Sequence, residues 1–293
     1  MADAVRAAAR AKINLNLQVV GRRDDGYHEI DSLVTFATIG DVVTARPDPD
    51  GPPLGIALEG PFAATLMDAA PSAGDNLVIR AAAGLRTLAE RQGIVCEPVH
   101  LTLEKNLPVA AGLGGGSADA AATIGALSRL WSLPRDLPDT GHLLRLLGAD
   151  VAMCLAGRPL RATGIGDRLE RVDMPVLDLV LVNPGVAVPT AAVFARDEVL
   201  RSGPQRDLDG DLVEHLATTR NDLEPAARAV APEVGAVLDA LAETTDCRVA
   251  RMSGSGATCF GIFPDEAAAR AAAQTIRTAF PDWWCQPVRT VAS

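Results

Sequence analysis

A glycine-rich run, Lys105 to Ser117 (KNLPVAAGLGGGS), separates an alternating segment, Val99 to Leu103, from an alanine-rich helical stretch at about Ala118 to Leu130. A strand-loop-helix passage of this kind constrains a chain strongly. Successive backbone N–H groups at the positive end of a helix can cradle phosphate oxygens, and Gly112, Gly114, Gly115 and Gly116 keep side chains out of the way. Two common phosphate loops are excluded by position. A P-loop needs Gly-Lys-Ser/Thr, which is absent, and a dinucleotide fingerprint needs glycine where Ser117 stands. Ser117 itself suits two roles, capping the helix or directing its hydroxyl to a phosphate or a phosphate-bound Mg²⁺.

The rest of the chain must supply a partner for that loop. At 293 residues it is long enough for two lobes. Its net charge of −10 repels a nucleic-acid backbone, so an anionic ligand needs a local positive pocket. Five scattered cysteines lack disulfide or metal spacing and read as free thiols. No run is apolar enough for a signal peptide or a bilayer span, so neither a nucleic acid nor a membrane is expected as partner, and the cytoplasm is the expected location.

Ala11 to Val20 (AKINLNLQVV) alternates as a half-buried strand, with Lys12 and Asn14 on the face opposite the core. A turn over Gly21 to His28 leads to a second strand at about Ile30 to Thr38, giving an antiparallel pair. Asn76 to Gln92 has helical spacing, and a helix from about Asp139 ends at Gly148, leaving Ala149 and Asp150 just beyond it. Further on come a strand at Leu177 to Val182, helices after Thr190, around Glu224 to Glu243 and from Asp265 to Thr278, and a hairpin Val249 to Phe263 enclosing SGSGA. This mixture without regular alternation is an α+β pattern.

PVAAGLGGGSADAA, Pro108 to Ala121, resembles the second motif of the GHMP kinases. Within that superfamily AKINLNL and GRRDDGYHEI resemble the N-terminal signature of the 4-diphosphocytidyl-2-C-methyl-D-erythritol kinase family, and LGADV, NPGVAVPT, NDLE and MSGSGATCF recur in the same order. The resemblance implies a two-lobed α+β fold. An ATP-binding lobe like domain 2 of ribosomal protein S5 is expected over residues 1–163, a ferredoxin-like α/β lobe over 164–293, and the active site in the cleft between them. The implied reaction is direct phosphorylation by ATP, with Mg²⁺, of the substrate's 2-hydroxyl in the non-mevalonate route to isoprenoids.

Roles follow residue by residue from the same resemblance. Asp150 is the implied catalytic base and Lys12 its cationic partner. Asn76, Lys105, Pro108, Ala110, Ala111, Gly112, Leu113, Gly114, Gly115, Gly116 and Ser117 are the implied ATP contacts, with Ser117 also the Mg²⁺ candidate. Asn14, Tyr27, His28, Thr190 and Phe194 are the implied substrate contacts: Asn14 for the erythritol hydroxyls, the rings for cytosine, and Thr190 both as helix cap and against the substrate. Val34 stands where relatives can carry an aromatic and Ala152 where proline is usual, which thins the expected pocket and loosens the loop after Asp150. Other enzymes of the superfamily, acting on homoserine or mevalonate, and a catalytically silent sensor are the competing readings. A monomer and a weak homodimer are both open.

Overall fold

The computed structural model describes residues 3–72, 74–196, 199 and 201–293, so Met1 and Ala2 of the N-terminal stretch lie outside the described residues. In chain order the elements are β1 (Val5–Asn14), β2 (Gln18–Arg22), β3 (His28–Pro47), β4 (Leu54–Glu59), α1 (Ala63–Ala69), α2 (Leu77–Arg91), β5 (Val99–Glu104), α3 (Gly115–Leu130), α4 (Thr140–Leu147), α5 (Ala149–Ala156), β6 (Leu160–Gly164), β7 (Arg168–Arg171), β8 (Asp178–Asn183), α6 (Thr190–Phe194), α7 (Leu212–Ala217), α8 (Glu224–Val230), α9 (Glu233–Ala242), β9 (Val249–Met252), β10 (Cys259–Phe263), α10 (Glu266–Ala279) and β11 (Trp284–Arg289). They form two compact units. The first takes the chain up to Ala11, Gly40–Val109 and Gly114–Ala156; the second takes Lys12–Ile39, Ala110–Leu113 and Gly157–Ser293. The last passage from first to second unit is therefore at Ala156–Gly157, whereas the sequence placed a boundary at 163/164. The second unit also claims earlier segments, because the first half of β3 pairs with β6.

In the first unit the second half of β3 pairs antiparallel with β5, and β4 pairs parallel with β5. A parallel pair needs a crossover, which α2 supplies. Asn76 caps α2 by accepting a hydrogen bond from the Val78 amide at 2.9 Å. Val78, Ala81, Ala82, Leu85, Leu88 and Ala89 form its buried stripe, each large side chain contributing roughly 1.5–3 kcal/mol by leaving water. The helix α3 is buried along most of its first three turns, where its alanines let α2 and α5 approach closely. It begins at Gly115, three residues before the sequence pattern suggested. Its N-cap is Gly114, in the left-handed region at φ 62°, with no side-chain cap; Ser117 thus lies in the first turn and does not cap.

In the second unit β2 and the first half of β3 form the expected hairpin, with Arg22 opposite His28. The strand read over Ala11 to Val20 is broken: β1 ends at Asn14 and β2 starts at Gln18, and between them Leu15 and Leu17 bond to Leu33 and Arg220. Lys12 and Asn14 were placed on the face opposite the core, yet they are 5% and 2% exposed; Asn14 is bonded to Ser32 and Ser253, and Lys12 to Asn14 and the Leu113 carbonyl. A second sheet runs β11-β8-β10-β9, every neighbour antiparallel, the order of a ferredoxin-like unit. Its core joins Val180, Val182, Val234, Val237, Leu241 and Ile276. Pro232 splits the helical stretch 224–243 into α8 and α9. Among the described residues none of the five cysteines is in a disulfide, and no helix is long and apolar enough to cross a membrane.

Candidate active site

The glycine loop is held by specific backbone contacts. In the second unit the Leu113 carbonyl accepts from the Lys12 amide at 2.8 Å and the Ala111 carbonyl from the Thr258 amide at 3.0 Å. The Ser253 hydroxyl donates to the Gly112 carbonyl at 3.0 Å and accepts from the Asn14 amide at 3.1 Å. The SGSGA turn thus rests on the loop. At φ 73° Gly112 tolerates no side chain, since a Cβ there would stand 2.3 Å from the Ser253 carbonyl oxygen. In the first unit Pro108 is buried at the loop's start, and α3 begins without a side-chain cap, so its first-turn N–H groups have the geometry that receives an anion.

Lys105 is buried beneath this helix start. Its ammonium donates to Asp41 Oδ2 at 2.5 Å and to Asp119 Oδ2 at 2.8 Å, and lies 3.1 Å from where a Gly115 Cβ would stand. Asp41 Oδ1 accepts from the Asn106 and Leu107 amides at 2.6 and 2.8 Å. Burial pushes the Asp119 carboxyl up to about 7, against the pull of Lys105 and with the repulsion of Asp41. Burial lowers the Lys105 value, but the two carboxylates outweigh it and the net shift is upward. Neither aspartate was anticipated. The available signal was a lone acid, Asp119, inside an alanine run whose neighbours are buried on all sides.

Lys12 Nζ donates to the Asn14 carboxamide oxygen at 2.9 Å, and Asn14 Nδ2 donates to the Ser32 hydroxyl at 2.8 Å. A cation and an amide are thereby fixed at neighbouring positions of one strand. His28 and Phe194 come together, with ring centroids 5.0 Å apart and planes at 33°. Burial, then Arg22 and Arg201, lowers the His28 value, so its ring is neutral at pH 7. Tyr27 does not join them: it is 62% exposed at the hairpin tip, its amide donating to Asp25. Val34 is fully buried in β3 opposite Leu160. Thr190 was expected to cap α6, but Pro189 holds that position and the Thr190 hydroxyl instead bonds the Ser255 hydroxyl at 2.9 Å.

Asp150 belongs to the first unit. Gly148 ends α4 as expected, yet α5 starts at once, placing Asp150 half-buried in a first helical turn, where a carboxylate complements the helix dipole. Ala152 is accordingly inside a helix, and no loop follows Asp150 for a missing proline to loosen. Asn76 spends its carboxamide oxygen on the α2 cap. Among the described residues no group of three or more His, Cys, Asp or Glu could hold a metal ion; the Ser117 hydroxyl is half-buried in the first turn of α3 and is not used as a cap.

An uncapped glycine loop at the head of a buried helix in one unit, and a ferredoxin-like sheet in the other, are the features of the GHMP kinase class. The model of the GHMP kinases N terminal domain matches residues 76–158, and that of the GHMP kinases C terminal matches residues 205–282. Among curated proteins, 4-diphosphocytidyl-2-C-methyl-D-erythritol kinase of Cereibacter sphaeroides strain KD131 is 53% identical, over 97% of this chain and 99% of the relative. The enzyme of that name from Paramagnetospirillum magneticum is 46% identical over 97% and 98%. A crystal structure of 4-(cytidine 5'-diphospho)-2C-methyl-D-erythritol kinase superposes with TM-score 0.77 at 33% identity, covering 98% of this chain and all of that one, 100%. The chain belongs to the 4-diphosphocytidyl-2-C-methyl-D-erythritol kinase family. Homoserine kinase from Cytophaga hutchinsonii, 19% identical with TM-score 0.68 over 100% of this chain and 96% of its own, shares the fold alone.

Proposed function

We propose that this chain transfers the γ-phosphoryl group of ATP to the 2-hydroxyl of 4-diphosphocytidyl-2-C-methyl-D-erythritol, giving the 2-phosphate and ADP in the non-mevalonate route. The observation that carries this reading is 53% identity over 97% of the chain to an enzyme bearing that name. The site is consistent with it: a neutral His28 packed on Phe194 offers a flat apolar face and a polar edge to a pyrimidine.

Bound ATP supplies the phosphoryl group; Mg²⁺, when bound with it, would neutralise charge on the phosphates, and the Ser117 hydroxyl would be the protein group to hold it. The N–H groups of Gly114 to Ser117 orient the phosphates at the head of α3. Asp150 accepts the proton of the attacking hydroxyl, and Lys12, held by Asn14, stabilises the developing oxyanion. Asn14 and Thr190 orient the erythritol hydroxyls.

The purified protein is to be assayed for ADP formation with Mg-ATP and, separately, the cytidyl substrate, mevalonate or homoserine. Turnover with the cytidyl compound alone is expected. Turnover only with one of the others overturns the substrate assignment, and silence with all three favours a sensor.

A further inference from the structure

The glycine loop leaves and re-enters the first unit, and both of its ends there are tied to one buried ion cluster. At the start, Asp41 holds the Asn106 and Leu107 amides with one carboxylate oxygen and the Lys105 ammonium with the other. At the far end, Asp119 reaches the same ammonium from the second turn of α3. Gly115, four residues before Asp119 and on the same helix face, makes the space that the ammonium fills. Around the cluster the packing is apolar: Leu77 of α2 stands against Gly116, and Ala118, Ala120 and Ala121 are buried beside it. Asp119 is itself 2% exposed, and its second oxygen, Oδ1, is buried with no hydrogen-bond partner.

An acid kept in so costly a place needs a reason. A lysine ammonium at a helix N-terminus opposes the helix dipole unless carboxylates accompany it. Asp41 alone would secure the loop's start, whereas only Asp119 connects the cation to the helix whose first amides face the phosphates. We infer that Asp119 is a positioning residue for nucleotide binding, fixing the first turns of α3 against Lys105 and Asp41 so that the loop is preorganised before ATP arrives. Preorganisation of this kind acts on affinity for one ligand by removing the cost of ordering the loop. The inference rests on reading the chain as an ATP-dependent kinase, but not on which alcohol is phosphorylated.

The test compares wild type with Asp119→Leu, which removes charge and acceptor and puts a bulkier apolar side chain in their place, and Asp119→Asn, which keeps an acceptor for Lys105. Calorimetry gives Kd for Mg-ATP without an acceptor substrate, steady-state kinetics give KM for each substrate, and thermal melts report folding. A hydrogen bond to a charged group implies that Asp119→Leu weakens ATP binding by about tenfold or more, with Asp119→Asn restoring much of the loss. KM for the cytidyl substrate should stay within about twofold, because the inference confines the effect of Asp119 to the nucleotide. Should Asp119→Leu fail to fold, Asp119→Ala takes its place: a rise in its ATP Kd supports the inference, and an unchanged Kd overturns it. A lowered melting temperature with unchanged ATP Kd overturns it too, leaving Asp119 a purely structural residue. Wild type that binds ATP yet ignores the cytidyl compound refutes the substrate assignment while leaving this test intact.

Discussion

The buried Asp119 carboxyl makes stability depend on pH in a direction opposite to that of an ordinary surface acid. In the folded chain its value is pushed from 3.8 up to about 7 by burial, with Lys105 offsetting and Asp41 reinforcing the shift. Between these values the native state holds a proton that the unfolded state has lost, so stability falls as pH rises and levels off above about 7. At about 1.4 kcal/mol per pH unit over roughly 3 pH units, the loss from this group approaches about 4 kcal/mol. The Asp119→Asn variant carries no such proton. Its stability relative to wild type should therefore climb by about 2 kcal/mol between pH 5 and pH 7 and level off by about pH 8, superimposed on a constant offset for the altered bond to Lys105. Urea unfolding at pH 5, 6, 7 and 8 checks this, with fluorescence of Trp131, buried in the first unit and bonded to the Glu97 carbonyl, as the reporter. Trp283 and Trp284, in the second unit, are replaced by phenylalanine in both proteins. A stability difference independent of pH would refute the reasoning, because it would mean that Asp119 stays ionised beside Lys105 throughout.

Asp150→Asn should lower kcat by about 10² to 10⁴-fold while leaving both KM values near wild type, as for loss of a positioned base; steady-state kinetics decide it, and unchanged kcat removes Asp150 from the mechanism. Gly112→Ala forces a Cβ to 2.3 Å from the Ser253 carbonyl at a φ of 73°. The loop must shift, and ATP Kd should rise by about tenfold or more for a strain of roughly 1–3 kcal/mol; calorimetry at full folding, judged by circular dichroism, gives the answer. Phe194→Ala removes the ring packed on His28 at 5.0 Å. KM for the cytidyl substrate should rise by roughly 2 to 10-fold, the value of an aromatic contact of about 0.5–1.5 kcal/mol, with KM for ATP unchanged.

What the sequence made legible was local. The helix α2 was bounded within a residue, because Asn76 is a strong cap and the apolar stripe repeats cleanly behind it. The glycine loop was visible because its chemistry lies in one continuous run. Where the reading failed, a partner far along the chain decided the outcome. Lys12 and Asn14 alternate with apolar residues and so read as the wet face of a strand. Asn14 is bonded to Ser253, 239 positions beyond it, and to Ser32, while the Lys12 amide bonds the Leu113 carbonyl. Gly148 correctly marked a helix end, but nothing local announced that α5 would begin at the next residue and make Asp150 its first-turn acid.

The ion cluster carries the same lesson further, since it changes what a recognised residue does. Lys105 was read as an ATP contact from the family resemblance alone, and as a lone cation it would be expected to point at the ligand. In the structure its ammonium is turned inward, shared between Asp41, 64 positions earlier, and Asp119, 14 later. Neither spacing belongs to a helix or a strand, so no periodicity could have joined them. A cation that faced the triphosphate directly would bind in proportion to its charge, and Lys105→Arg would be tolerated. A cation that braces the loop from below must fit the gap under Gly115, where an added Cβ would stand 3.1 Å from Nζ. The larger guanidinium should then disturb α3 and weaken ATP binding although the charge is kept. A Lys105→Arg variant with wild-type ATP Kd would place the side chain among the ligand contacts and remove it from the brace.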